Sequence, residues 1–315
     1  MIATPPRPAI AGIVFGHPGA GSFVAAGAAA FARAQSTLAA DIAIHWFDQT
    51  PFEWRLARLH EIAAVRPGLI VLHGAQGEAL VEALAVDYPQ VMFSVSQGEV
   101  CGPNVSSYEV ALEQPAFLAG ALAGWSSDSG VLGHLSGERV RAGLKGRAAF
   151  AAGVCFASAE ARLLSTFCGA QHEPELAARC VAAQHRAGAD VLFTMLGAGR
   201  EGAIRACREL GMRQIGDGVD WCATHPDVFL ASAVADSSWA SWRAIEDFVH
   251  HRFEAGVRRT AGLEEPSLCR LALAADVPAE IKARLAALAQ DVLDGKIAVP
   301  TQWDGEEFAA PAWPA

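Results

Sequence analysis

The strongest constraint on the fold is the regular alternation of short apolar runs with helical patterns. "AIAGIVFG", "DIAIHWFD", "GLIVLHG" and "VMFSVS" read as strands, and Phe23–Gln35, Glu53–Val65 and Glu78–Val86 between them read as helices. Apolar strands separated by helices of about 10 to 15 residues predict βαβ units, with a parallel sheet covered on both faces. The first part of the chain is therefore expected to be an open, doubly wound sheet.

A helical segment, Glu109–Trp125, leads into "GVLGHLSG", which has the form of "GIVFGHPG" near the start: a β run ending in Gly-His and a polar turn. The alternation then repeats, with helix Val140–Ala152, strand "GVCFAS", helix Pro174–Ala187, strand "DVLFTM", helix Glu201–Leu210 and strand "RQIGDGV". "VFLASAVAD" is long enough to cross between lobes. Helix Ser238–Phe253, strand "CRLALA", helix Pro278–Leu293 and "GKIAVP" follow, and the Pro/Trp tail carries no clear signal. Two Rossmann-like α/β lobes are expected, 1–122 with about 236–262 and 123–235 with about 263–315. A ligand cleft is expected between them, at the carboxyl ends of the strands.

Composition narrows the partners. The net charge is −10 and no Lys/Arg-rich run occurs, which argues against nucleic acid or an anionic membrane surface and favours a small molecule. No apolar run reaches the roughly 18 residues that read as a membrane span, so direct membrane insertion is not expected. "MIATPPRPAIAGIVF" lacks the long apolar core of a secretory signal, so a cytoplasmic location is expected, or a periplasmic one if an upstream signal has been removed. The seven cysteines show no C-x-x-C pair and no zinc-site spacing, and read as small buried apolar residues in a reducing compartment.

"VLFTMLGAGREGAI" raises an enzymatic alternative. A buried strand precedes Gly197, Gly199 and Gly202 in G-x-G-x-x-G spacing, a helix begins, and Asp217 follows, the outline of a dinucleotide fingerprint. An NAD(P)- or flavin-dependent oxidoreductase using this loop is the alternative function. Against it, the motif lies late in the chain, and Glu201 would set negative charge beside a pyrophosphate, although Arg200 would pair with one. Other catalytic templates fail: "GHLSG" has its Ser one place late for a nucleophile elbow, "HEPEL" lacks the second His, and no G-K-[ST] follows a Gly-rich loop.

"NVSSYEVALEQPAFLAGALAG", "GVLGHLSG" with "GRAAFAAGV", "HRAGADVLFTMLGAGREGAI", "QIGDGVDW" and "DVLDGKIAVP", in this order, resemble the signatures of the basic membrane protein (BMP, Med/PnrA-like) family. These are substrate-binding proteins of ABC transporters for nucleosides, nucleobases and related compounds. The resemblance runs from about Ala9 to Pro300. It implies a type I periplasmic-binding-protein fold, two lobes closing on one ligand and no catalysis. No cofactor is expected, and the expected partner is an ABC permease or, from the missing signal and the free cysteines, a regulatory protein that reads a cytoplasmic sensor.

A flat, weakly charged ligand needs aromatic faces to stack on and a few polar groups to read its edge. Strand ends supply candidates for ligand binding: His17, Ser22 and Phe23 after the first strand, Gly74 and Gln76 after the third, Ser96 after the fourth, and His134, Gly197 and Trp221 in the second lobe. The resemblance aligns Phe167 with a stacking wall, Trp239 with an aromatic position near the hinge, and Asp220 with an acid that reads a base or ribose. Ser22 and Phe23 read equally well as a helix cap and a core ring, Phe167 as a strand core residue, and Asp220 as a loop cap.

Overall fold

The computed structural model describes residues 9–18, 22–309 and 311. In chain order the elements are β1 (Ala9–Phe15), α1 (Ser22–Thr37), β2 (Asp41–Phe47), α2 (Phe52–Ala64), β3 (Leu69–His73), α3 (Glu78–Leu84), β4 (Met92–Ser96), β5 (Val105–Val110), α4 (Glu113–Ser126), β6 (Val131–Ser136), α5 (Arg141–Ala157) and β7 (Arg162–Phe167). There follow α6 (Pro174–Arg186), β8 (Val191–Met195), α7 (Arg200–Leu210), β9 (Arg213–Gly218), β10 (Phe229–Ala235), α8 (Ser238–Val249), β11 (Arg258–Ala261), β12 (Cys269–Leu273) and α9 (Ala279–Leu293).

Two six-stranded sheets form, in the orders β11-β5-β4-β3-β1-β2 and β12-β10-β9-β8-β6-β7. Matching β6 with β1 makes the two orders repeat strand for strand. β1 pairs in parallel with β2 and β3, and β6 with β7 and β8, whereas β12 runs antiparallel to β10. Every residue of β3 and of β8 is buried, as expected of strands covered by helices on both faces. The expected α/β class with two parallel-dominated sheets holds.

The chain divides into one unit of Met1–Val110 with Ser237–Thr260 and a second of Ala111–Asp236 with Ala261–Ala315. In the first unit the alternation of β1 sends Ile13 into a cluster with Phe47, Leu59, Leu72 and Phe93, and Val14 into one with Phe31, Tyr108 and Ile245. In the second, Leu135, Leu192, Val181, Cys207 and Phe229 form a core beneath α6 and α7.

Three expectations shift. "GVCFAS" is the last part of α5, where Phe156 meets Phe117 of α4 edge-on at 5.9 Å, and the strand after it is β7. Glu109–Trp125 is not one helix: β5 ends at Val110 and α4 starts at Glu113. The first division falls after Val110 rather than at 122, because α4 packs on α5. A Cβ at Gly120 would lie 2.1 Å from the Phe150 carbonyl oxygen, and one at Gly153 2.0 Å from that of Phe117, so only glycine allows this approach. Lys145 of α5 and Glu113 of α4 pair at 3.0 Å at the same contact.

Candidate ligand-binding site

In the first unit, the ends of β3 and β4 build a polar cluster around His73. Its Nε2 lies 3.0 Å from the Phe23 carbonyl oxygen, which only accepts, so Nε2 donates and Nδ1 receives the hydroxyl proton of Ser241, 2.8 Å away on α8. Ser96 Oγ stands 3.3 Å from Nδ1 and accepts from the Gly74 amide at 3.0 Å. Gly74 has φ +126°, and the Gln76 side chain fills the space a Cβ would need, 2.3 Å from that position. The Phe23 ring lies 4.3 Å from the buried imidazole, tilted by 30°, and keeps 38% of its surface exposed.

Four of the expected residues, Phe23, Gly74, Gln76 and Ser96, thus gather around His73, together with Ser241, which the sequence did not single out. The remaining first-unit candidates stand apart. His17 is exposed and contacts the carbonyl of Pro18, and Trp239, half-buried, packs on the cluster of Phe31 and Ile245. The side chain of Ser22 lies outside the described residues.

In the second unit His134 is buried within the sheet, its Nδ1 3.1 Å from Ser165 Oγ and its Nε2 2.8 Å from Ser136 Oγ. Burial, with the nearby Arg147 charge, pushes its pKa down to about 3, so the ring is neutral. Phe167 closes the end of β7 against it, edge-on at 5.6 Å. Two guanidinium groups lie over the Phe167 ring, Arg139 at 5.0 Å and Arg147 at 5.1 Å.

The tail supplies what the sequence left blank. Glu307 bridges in parallel to Ser165 at the edge of β7, the Phe308 amide donates to the Ser165 carbonyl at 2.7 Å, and Thr166 Oγ1 donates to the Phe308 carbonyl at 3.0 Å. Its carboxylate accepts from Arg147 at 2.7 Å and pairs with Arg139, while Trp303 lies 4.7 Å from the Arg147 guanidinium.

The glycine loop after β8 is fully engaged. Gly197 and Gly199 amides donate to the Gln171 carbonyl at 3.0 and 3.2 Å, and the Ala198 amide donates to His172 Nδ1 at 3.2 Å. The amides of Arg200, Glu201 and Gly202 donate to the carbonyls of Gly197, Ala198 and Gly199. Every N–H that a pyrophosphate would need therefore already has an acceptor. A Cβ at Gly202 would lie 1.8 Å from the Pro174 carbonyl oxygen, so this glycine serves close packing on the first residue of α6. Arg200, expected as an anion partner, is buried, pairs with Asp217, donates to the Leu196 carbonyl at 2.7 Å and lies over Trp221 at 4.6 Å. Asp217 is thereby committed within the unit rather than presented to a ribose.

Trp221 is half-buried, with its indole N–H donating to the Asp217 carbonyl at 2.9 Å and its ring stacked 6.0 Å from Phe229. Asp220 accepts from the Cys222 amide at 3.1 Å, a loop bond that uses a fraction of a carboxylate's acceptor capacity. Gln171 was missed altogether. Besides holding the glycine loop, its side chain accepts from the Glu138 amide at 3.3 Å, joining the loops that follow β6, β7 and β8.

None of the seven cysteines is in a disulfide, and burial raises the Cys207 and Cys269 thiols to about 12. Among the described residues no group of three His, Cys, Asp or Glu is placed to hold a metal, and no helix is long and apolar enough to cross a membrane.

Residues 22–268 match the family described as ABC transporter substrate-binding protein PnrA-like. "Basic membrane protein A1" of Borrelia garinii subsp. bavariensis is 22% identical over 256 residues, which cover 78% of this chain and 75% of that protein. An ABC transporter solute-binding protein from Aeropyrum pernix K1 has a similar fold, with a TM-score of 0.80 at 19% identity over 95% of this chain and 94% of its own. A transcriptional activator of the comK gene from Bacillus halodurans gives a TM-score of 0.75 at 16% identity, over 91% of this chain and 99% of its own. At these identities the solved structures bear on the fold alone.

Proposed function

The chain belongs to the PnrA-like family of ABC-transporter substrate-binding proteins, and from that premise we propose that it binds a flat heterocycle without transforming it. The ligand class is a purine base, a nucleoside or a close analogue. The observation that carries this reading is Phe23, whose ring stays 38% exposed while the His73 it rests on is buried and hydrogen-bonded through both ring nitrogens. An aromatic face held rigidly at a strand end suits stacking on a base. Gly74, Gln76 and Ser96 beside it offer close backbone approach and adaptable polar groups, and Phe167 is a further ring at a strand end, in the second unit. Asp220 would accept from a base N–H or a sugar hydroxyl.

In this proposal the ligand favours a closed arrangement of the two units by binding it more tightly than the open one. An ABC permease is the partner that family membership favours, with a regulatory protein as the other candidate. Thermal-shift screening against purines, pyrimidines, nucleosides, riboflavin and dinucleotides tests the reading, since a ligand that binds only the folded state raises Tm. A rise with a purine or nucleoside is expected. No shift with any base or nucleoside, beside a shift with NAD, would overturn it.

A further inference from the structure

We propose that Arg139 and Arg147 form an anion-binding subsite in the second unit, taking phosphate or carboxylate oxygens, with Glu307 as its built-in occupant. The two guanidinium groups share one carboxylate, Arg147 Nη1 on one oxygen at 2.7 Å and Arg139 on the other, an arrangement that holds a phosphate equally well. Arg147 is the buried partner, its side chain 8% exposed, and Arg139 is the accessible one at 57%. Phe167 and Trp303 stack on these cations, so the pair is held in place by rings as well as by charge.

Glu307 leaves the donors underused. Arg147 Nε has no acceptor among the described residues, and its Nη2 reaches only the Trp303 carbonyl, at 3.5 Å. A phosphate brings more acceptor oxygens than a carboxylate. The occupant also comes on a segment without helix or strand through residues 301–306, whose backbone contacts to β7 are those of residues 307 and 308. A buried arginine without a counter-ion is strongly unfavourable, so Glu307 leaves when another anion arrives and not otherwise. External anion and tail therefore compete for one pair of cations.

The subsite goes beyond the heterocycle reading and does not depend on it, because the probe is inorganic phosphate alone. Calorimetric titration with phosphate at constant ionic strength compares the full chain with Glu307→Gln, which keeps the side chain's size and removes its charge. At least tenfold tighter phosphate binding is expected in Glu307→Gln, with the gain abolished when Arg139→Ala is added. Equal affinity in wild type and Glu307→Gln, or a gain that survives Arg139→Ala, overturns the proposal. Should Glu307→Gln not fold, Glu307→Asp, which keeps the charge on a shorter arm, is titrated with tryptophan emission as the readout. A phosphate-dependent change that is larger than in wild type and lost with Trp303→Phe supports exchange of the tail, and its absence overturns it.

Discussion

Helices α4 and α8 occupy matching places in the chain and are held in opposite ways. Each follows the fifth strand in sequence of one unit and belongs to the other unit. α4 is buried without interruption from Pro115 to Ala123, and it meets α5 through glycines, backbone against backbone. α8 is fastened by charge. Its Asp247 is fully buried, accepts from Tyr108 Oη at 3.1 Å, and lies 3.1 Å from Arg243, 3.3 Å from Arg252 and 3.4 Å from Arg259. Burial and the Asp247 charge together hold the Tyr108 hydroxyl well above its ordinary pKa. One topology thus accepts a glycine-mediated backbone contact, with one ion pair beside it, and a cluster of charges around a buried carboxylate as alternative fasteners.

The two fasteners should fail differently. Asp247→Ala leaves a buried tyrosine hydroxyl without its acceptor and three arginines with only Glu246 and Glu254, and a loss of about 3 kcal/mol is expected from urea unfolding. Hydrogen exchange should accelerate in β5 and α8. A loss below about 1 kcal/mol would show that the ionic cluster does not hold α8. Gly153→Ala places a methyl 2.0 Å from the Phe117 carbonyl oxygen, forcing α4 and α5 apart, and should cost about 1–3 kcal/mol. Its exchange should accelerate in α4 and α5 instead, and acceleration spread equally over both units would break the comparison.

His134 adds a pH dependence to the second unit. Its pKa lies near 3 in the folded chain against an ordinary 6.5, so between these values the unfolded state binds the extra proton. Stability from this group is complete above about pH 6.5 and is lost toward pH 3, by up to about 1.4 kcal/mol per pH unit. Urea midpoints from pH 7 to 4 should fall more steeply for the wild type than for His134→Gln, and parallel slopes would contradict the assignment. The smallest effect is expected for Arg58→Ala. Its pair with Glu61 on α2 is solvated, so a change of about 0.2–0.5 kcal/mol should mark what the same charges contribute outside a core.

The alternation was legible because strands buried on both faces are mostly apolar. β5 and β7 escaped because their interiors are polar: Ser107 donates to the Val100 carbonyl, Glu109 pairs with Arg258, Ser165 meets His134, and Thr166 reaches Phe308. Those groups are tolerable inside only once distant partners arrive. Residues at strand ends, such as Phe23, Gly74 and Ser96, could be anticipated from local pattern. Ser241 could not, since it reaches His73 across 168 positions, nor could Glu307, which reaches Arg147 across 160. The glycine loop is the intermediate case: its tight turn was readable, but its meaning depends on Gln171, whose carbonyl takes the donors that a cofactor would have used.

The position of α8 in the chain also sets an order of assembly. His73 waits for Ser241, and Tyr108 waits for Asp247, while everything from Ala111 to Asp236 is made in between. At roughly 5–20 residues per second, β1 to β5 are synthesised on the order of ten seconds before that helix, and β11, the sixth strand of their sheet, comes later still. Until α8 is made, Tyr108 lacks the carboxylate to which its hydroxyl donates in the folded chain.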